Sequence, residues 1–101
     1  MRRTQQTIRL AAALLERPDE RQWGYSLWKR TGIRSGVLYP ILSRFLDEGW
    51  LDDGWETAAD IGPEHRPPRR YYTLTPTGIV ALGGIVSGAT TVDPRVAGVA
   101  R

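Results

Sequence analysis

The sequence contains no cysteine, one histidine, one phenylalanine and a single lysine among its fourteen cations. Without cysteine there is no disulfide frame and no thiolate for nucleophilic or redox work. His65 stands in "GPEHRPP" with no ligand partners at metal spacing, so no metal and no cofactor are expected. Nor is there a paired-carboxylate cleft, a nucleophile–base pattern or a phosphate-cradling loop, and an enzyme is not expected. Long apolar runs are also missing. The uncharged stretch from Tyr71 to Val92 is interrupted by Pro76, by threonines and by several glycines. Its apolar core, Ile79 to Val86, is far short of the ~20 residues that cross a bilayer. At the N-terminus Arg2 and Arg3 lead into polar residues, and "LAAALL" is too short for a signal peptide. A soluble, cytoplasmic protein with no membrane partner is the expectation.

What the chain does have is arginine and banded charge. Its 101 residues suit one domain with one modest core. The balance is 14 − 11 = +3, and thirteen of the fourteen cations are arginine. A guanidinium fork matches phosphate oxygens, although GC-rich coding gives the same bias. Residues 1–46 carry nine cations and three anions, whereas residues 47–60 carry six anions and no cation. Such banding fits one face meeting a polyanion, and equally fits acidic and basic segments pairing within the molecule.

Punctuation divides the chain. Thr4 is placed to cap a first helix ending near Glu16, with Ile8, Ala11, Leu14 and Leu15 inward and Pro18 beyond its end. Asp19 and Glu20 suit the first turn of a second helix carrying Trp23, Leu27 and Trp28, with Gly32 as its left-handed stop. Ser35 offers an N-cap to a third helix that Gly49 terminates. Trp50 to Glu56 reads as a short strand broken or bulged at Gly54, and Arg69 to Thr75 reads as its partner. The intervening "TAADIGPEHRPP" looks too irregular for helix or strand. Thr75-Pro76 then opens a fourth helix that fades near Gly83 or Gly88. The predicted fold is mainly α with a small β-hairpin, a winged helix-turn-helix of three helices, a two-stranded wing and a short C-terminal helix. Residues 1–87 form the domain and 88–101 a flexible tail.

The third helix poses a question. Leu38, Ile41, Leu42, Phe45 and Leu46 share one apolar face, yet Pro40 lies inside the helix. Ser35, Tyr39 and Ser43, spaced by four, lie with Gly36, Pro40 and Arg44 on the opposite side. That front is small enough to approach base edges in a major groove, with Arg44 placed for phosphate. Arg34 directly precedes it and belongs to the same expected surface. A bent first turn tolerates the proline; otherwise the segment breaks in two at Tyr39.

The segments "GYSLWKR", "SGVLYPILSRFLDEGWL" and "RPPRRYYTLTPTG", covering Trp23 to Gly78, resemble the PadR family of winged-helix transcriptional regulators. The resemblance implies a dimeric repressor that lays the "LYP" helix in the major groove and its wing along the backbone. It implies Ser35, Gly36, Tyr39 and Pro40 at the DNA, with wing roles for Arg66, Arg69 and Arg70. Arg66 is the expected phosphate ligand because it lies far along the chain from the acidic strand. Of Arg69 and Arg70, strand alternation predicts one phosphate ligand and one partner for Asp52, Asp53 or Glu56. The chain departs from the family after "LTPTG": "IVALGGIVSG" is short, uncharged and glycine-interrupted. Its apolar strip still needs cover, and a homodimer through the first and fourth helices is expected, using Ile8, Leu15, Ile79, Leu82, Ile85 and Val86.

The leading reading is a sequence-specific repressor bound to an inverted repeat of double-stranded DNA. The alternatives are a winged-helix module for protein assembly and a plasmid or phage accessory DNA-binding protein. Trp23 and Trp50 are expected in the core. Trp28 and Trp55 are left between core and a pocket for a flat, unidentified small-molecule effector.

Overall fold

The computed structural model describes residues 4–91. Thr4 caps α1, Gln5–Leu15, its hydroxyl accepting from the Thr7 amide at 3.2 Å. Leu10, Ala11 and Leu14 are fully buried, while Ile8 and Leu15 are only half-buried. The inward stripe is therefore rotated from the expected one, with Leu10 near its centre.

The next element was not anticipated. Gln22–Trp23 forms a short strand, β1, antiparallel to the wing, and the second helix, α2, is Gly24–Thr31. Asp19 and Glu20 lie in turns before it and not in its first turn. The reason is Gln22. Its buried side-chain amide donates to the carbonyls of Leu14 and Arg17, both at 2.9 Å, and its Oε1 accepts from Arg30 at 3.0 Å. The carbonyls of Leu14, at the end of α1, and of Arg17, in the turn beyond it, accept only long backbone bonds of 3.3 Å, and the strand residue adds a shorter donor to each. Gly32, at φ +73°, ends α2 as expected.

Helix α3, Ser35–Asp47, runs unbroken through Pro40. Arg34, rather than Ser35, occupies the N-cap position, and no side chain caps the helix. Pro40 deprives the Gly36 carbonyl of its usual helical donor, and Gly36 is exposed, where solvent can supply one. Leu38, Ile41, Leu42 and Phe45 are buried. Gly49, at φ +77°, closes the helix.

Strands β2, Leu51–Trp55, and β3, Arg70–Leu74, pair antiparallel from Leu51 opposite Leu74 to Trp55 opposite Arg70. The ladder is unbroken at Gly54. A Cβ there would lie 2.6 Å from the Tyr71 hydroxyl, so the glycine makes room for the ring. With β1 the sheet has three strands in the order β1-β3-β2. The wing loop is also more regular than expected. Thr57 and Asp60 form a reciprocal capping box that starts one helical turn, α4, Ala58–Ile61, followed by a 3-10 turn at Gly62–Glu64.

Helix α5, Pro76–Thr91, starts where Thr75-Pro76 predicted but does not fade at Gly83 or Gly88. It packs along α1, with Leu82 and Ile85 buried in the chain's own core. The apolar strip expected to need a second protomer finds much of its cover in α1. Leu82 and Ile85 are therefore corrected from interface to core. Of the tail expected over 88–101, residues 92–101 lie outside the described residues. Together α2, α3 and the β2–β3 wing form a winged helix-turn-helix.

Candidate nucleic-acid interface

The exposed side of α3 is built by helical periodicity. With Leu38, Ile41, Leu42 and Phe45 turned inward, Gly36, Pro40 and Ser43 come to the middle of the outer face. Tyr39 flanks them on one side; Val37 and Arg44 flank them on the other. Arg34, Ser35, Gly36, Tyr39, Pro40, Ser43 and Arg44 are all exposed, so the structure assembles these predicted residues on one surface.

Tyr39 is both exposed (44 %) and packed. Its ring lies over Gly24 at the start of α2, where a Cβ would come within 2.2 Å of its hydroxyl oxygen. Tyr39 forms the wall shared by two shallow grooves. One, of about 290 Å³, runs past Tyr25 to Arg69 and Arg70. The other, of about 470 Å³, runs past Tyr25 and Trp28 to Arg34 and Ser35. Residues distant in sequence, at the start of α3 and in the wing, are brought to either side of one ring. Across α3 a third groove, of about 530 Å³, separates Val37, Pro40 and Arg44 from Thr4 and Gln6 at the start of α1.

The wing arginines divide unexpectedly. Arg66 is not remote from acid. Its Nη1 and Nη2 donate to Glu56 at 2.6 and 3.1 Å, and its Nε donates to Glu64 at 2.8 Å. Glu56 also accepts the Arg69 amide at 2.9 Å. These partners, Arg66 foremost, hold the Glu56 carboxyl below its ordinary pKa and keep it charged. Hairpin pairing carries Glu56 back beside residue 66, which linear distance conceals. Arg70 pairs with Asp53, Nε to Oδ2 at 2.8 Å, and its guanidinium lies over the Tyr72 ring. Asp53 is the leading cause of the raised Arg70 pKa, and burial raises that of Tyr72. Asp60 is likewise held low by the backbone and hydroxyl of Thr57 and by Arg21 at 3.2 Å. Arg21 also stacks on Tyr71.

Residues 51–70 hold five acids against three arginines, 3 − 5 = −2. The side chains of Arg34, Arg44 and Arg69 make no ion pair with any described residue. Of Arg69 and Arg70, Arg70 is the one that pairs with a strand acid, Asp53. Trp28 and Trp55 are exposed, whereas Trp23 and Trp50 are half-buried, Trp50 stacking on Phe45. Val37, Tyr25 and Val80 are exposed as well, although no motif in the sequence marks them. Only Val37 lies near the edge of a buried helical stripe; Tyr25 and Val80 lie on the outer faces of α2 and α5.

Residues 14–83 match the family described as "Transcriptional regulator PadR-like family". Among solved structures, the chain is similar to a PadR family transcriptional regulator from Eggerthella lenta at 25% identity and a TM-score of 0.66, covering 86% of this chain and 77% of that one. A PadR family transcription regulator from Clostridium difficile is 18% identical with a TM-score of 0.67, covering 87% and 91%. A protein from Streptococcus mutans is 22% identical with a TM-score of 0.67, covering 94% and 92%. No curated protein matches. No described helix is long and apolar enough to cross a membrane.

Proposed function

Since the chain belongs to the PadR-like family of transcriptional regulators, and is a DNA-binding regulator rather than an enzyme, we propose that it acts as a dimeric repressor on an inverted-repeat operator. The observation that carries this reading is the outer face of α3. It is exposed, continuous and small-featured, with Arg34 and Arg44 at its ends and neither neutralised by a described acid. Arg69 reaches the same surface from the wing. In this reading Ser35, Gly36, Tyr39, Pro40 and Ser43 face the major groove while Arg34, Arg44 and Arg69 meet phosphate. Arg66 and Arg70, committed to carboxylates, serve to hold the wing.

The dimer would form along the outer side of α1 and α5. Ile79 and Val80 are exposed there, and Ile8, Leu15 and Val86 are half-buried beside the core. Two protomers would engage half-sites about 34 Å apart, one helical turn.

The test is fluorescence anisotropy with the chain's own upstream duplex and a random duplex at several salt concentrations. Three phosphate ligands on each of two protomers give a slope of log K against log salt of about −5, at ~0.9 per contact. Tight selective binding with that slope supports an autoregulating repressor. Equal, weak binding to both duplexes refutes autoregulation. Retention of a protein partner by a Tyr39→Ala/Arg44→Ala double variant would favour the assembly module, to which the net negative wing is better suited.

A further inference from the structure

Between Arg34 and Arg44, which the proposed function gives to phosphate, the front of α3 is unusual in what it cannot do. Side chains that discriminate bases by two hydrogen bonds are arginine and lysine, for guanine, and asparagine and glutamine, for adenine. None occurs between Ser35 and Ser43. The only side-chain hydrogen-bonding groups on that stretch are the hydroxyls of Ser35, Tyr39 and Ser43. A hydroxyl both donates and accepts, so it distinguishes base pairs weakly. The Tyr39 hydroxyl is also turned against Gly24.

What the surface offers instead is carbon. Val37 is 42 % exposed, although it is an aliphatic residue on a helix with a well-filled core. It stands beside exposed Pro40 across the groove from Thr4 and Gln6, while the exposed part of the Tyr39 ring borders the other flank. Gly36 between them adds no side chain that would hold the helix away. The major groove presents only one apolar group at a base edge, the 5-methyl of thymine.

We infer that α3 reads its half-site chiefly through thymine methyl groups, packed against Val37, Pro40 and Tyr39. Guanine and adenine edges play the lesser part. This deepens the DNA-binding reading and rests on it. Val37 is then a specificity-determining residue, and the half-site is rich in T·A pairs with thymines on the strand edge that faces α3.

The test uses the full chain and a pool of random-sequence duplexes, from which bound DNA is selected and sequenced. Each thymine of the enriched half-site is then replaced singly by deoxyuridine, which removes the methyl and leaves every hydrogen-bonding group in place. Replacement should weaken binding about fourfold at each contacted thymine, the equivalent of one methyl group returned to water. With Val37→Ala, an exposed substitution that leaves the core intact, the thymine–uracil difference should vanish at one position and persist at the others. An enriched half-site indifferent to uracil throughout, or one losing affinity only when guanine is replaced by 7-deazaguanine, overturns the inference and leaves DNA binding standing. Failure to enrich any sequence overturns both.

Discussion

Two glycines of α5 should respond to alanine with opposite signs. At Gly78 an added Cβ would lie 1.9 Å from the carbonyl oxygen of Trp50, an approach no relaxed structure holds. That oxygen already accepts the Thr75 amide at 3.1 Å. Thr75 in turn ties Gly49 and Gly78 together through its hydroxyl, at 2.7 and 2.9 Å. Relief to a contact of about 3.2 Å moves the first turn of α5 by more than 1 Å and strains this whole junction. Overpacking of this kind costs about 1–3 kcal/mol, and a lost hydrogen bond adds ~0.5–1.5 kcal/mol. The propensity gain of alanine over glycine, at most ~1 kcal/mol, offsets only part of it. Gly78→Ala should therefore destabilise by about 1–3 kcal/mol. Gly84 is exposed, and a Cβ added there would meet nothing within 4 Å. Only the propensity gain remains, so Gly84→Ala should stabilise by up to ~1 kcal/mol. Urea titration followed by circular dichroism reads both. With m near 1–2 kcal/mol/M, the Gly78 midpoint should fall by about 1 M while the Gly84 midpoint holds or rises. A Gly78→Ala protein as stable as its parent would refute the argument that this glycine is a point of backbone contact.

Gly24→Ala should displace Tyr39, the far end of a side chain, and so lower DNA affinity several-fold while changing the urea midpoint little; equal affinity would show the seat to be irrelevant. Arg69→Ala should reduce the magnitude of the salt slope by about 0.9 per protomer, whereas Arg66→Ala should leave the slope unchanged and make the wing more sensitive to protease. If the two variants exchange these phenotypes, the assignment of clamp and phosphate ligand is reversed. Acid should loosen the wing before the core. The carboxyls of Glu56 and Asp60 are held below their ordinary values of 4.5 and 3.8, so their support is full above those values and is lost as pH falls through the lower folded-state ones. Amide exchange or tryptophan emission near Trp55 during titration from pH 6 downward would record it; an unfolding of wing and helices in one step would count against it.

The parts legible in the sequence were those signalled by single residues acting locally. Thr4 and Thr75-Pro76 start helices, Gly32 and Gly49 end them, and the apolar spacing of α3 names its buried face. Other parts depend on residues meeting across the fold. A two-residue strand headed by a glutamine has no periodicity to read, and Gln22 is intelligible only once the end of α1 lies over it. The short helix in the wing did carry a signal, Thr57 and Asp60 three apart, but it was hidden in a loop of low regularity. Arg66 looked free because Glu56 is ten residues away along the chain; hairpin pairing closes that gap. The persistence of α5 through its glycines follows from burial of Leu82 and Ile85 on α1, which outweighs weak local propensity.

The seat of Tyr39 on Gly24 also limits how the protein can diverge. A larger residue at 24 displaces the aromatic ring at 39 from its seat and so costs DNA affinity rather than stability, because the two would claim the same space. A copy of the gene seeking a new operator can freely vary Val37, Ser43 or Arg44, all exposed and without neighbours to satisfy in the core. To vary Tyr39 it need change only that residue, but the vacated groove then permits bulk at 24. Once filled, that position leaves a returning ring no seat. Among diverging descendants of this chain, loss of the tyrosine should therefore precede loss of the glycine, and lineages that have lost both should not regain the aromatic alone.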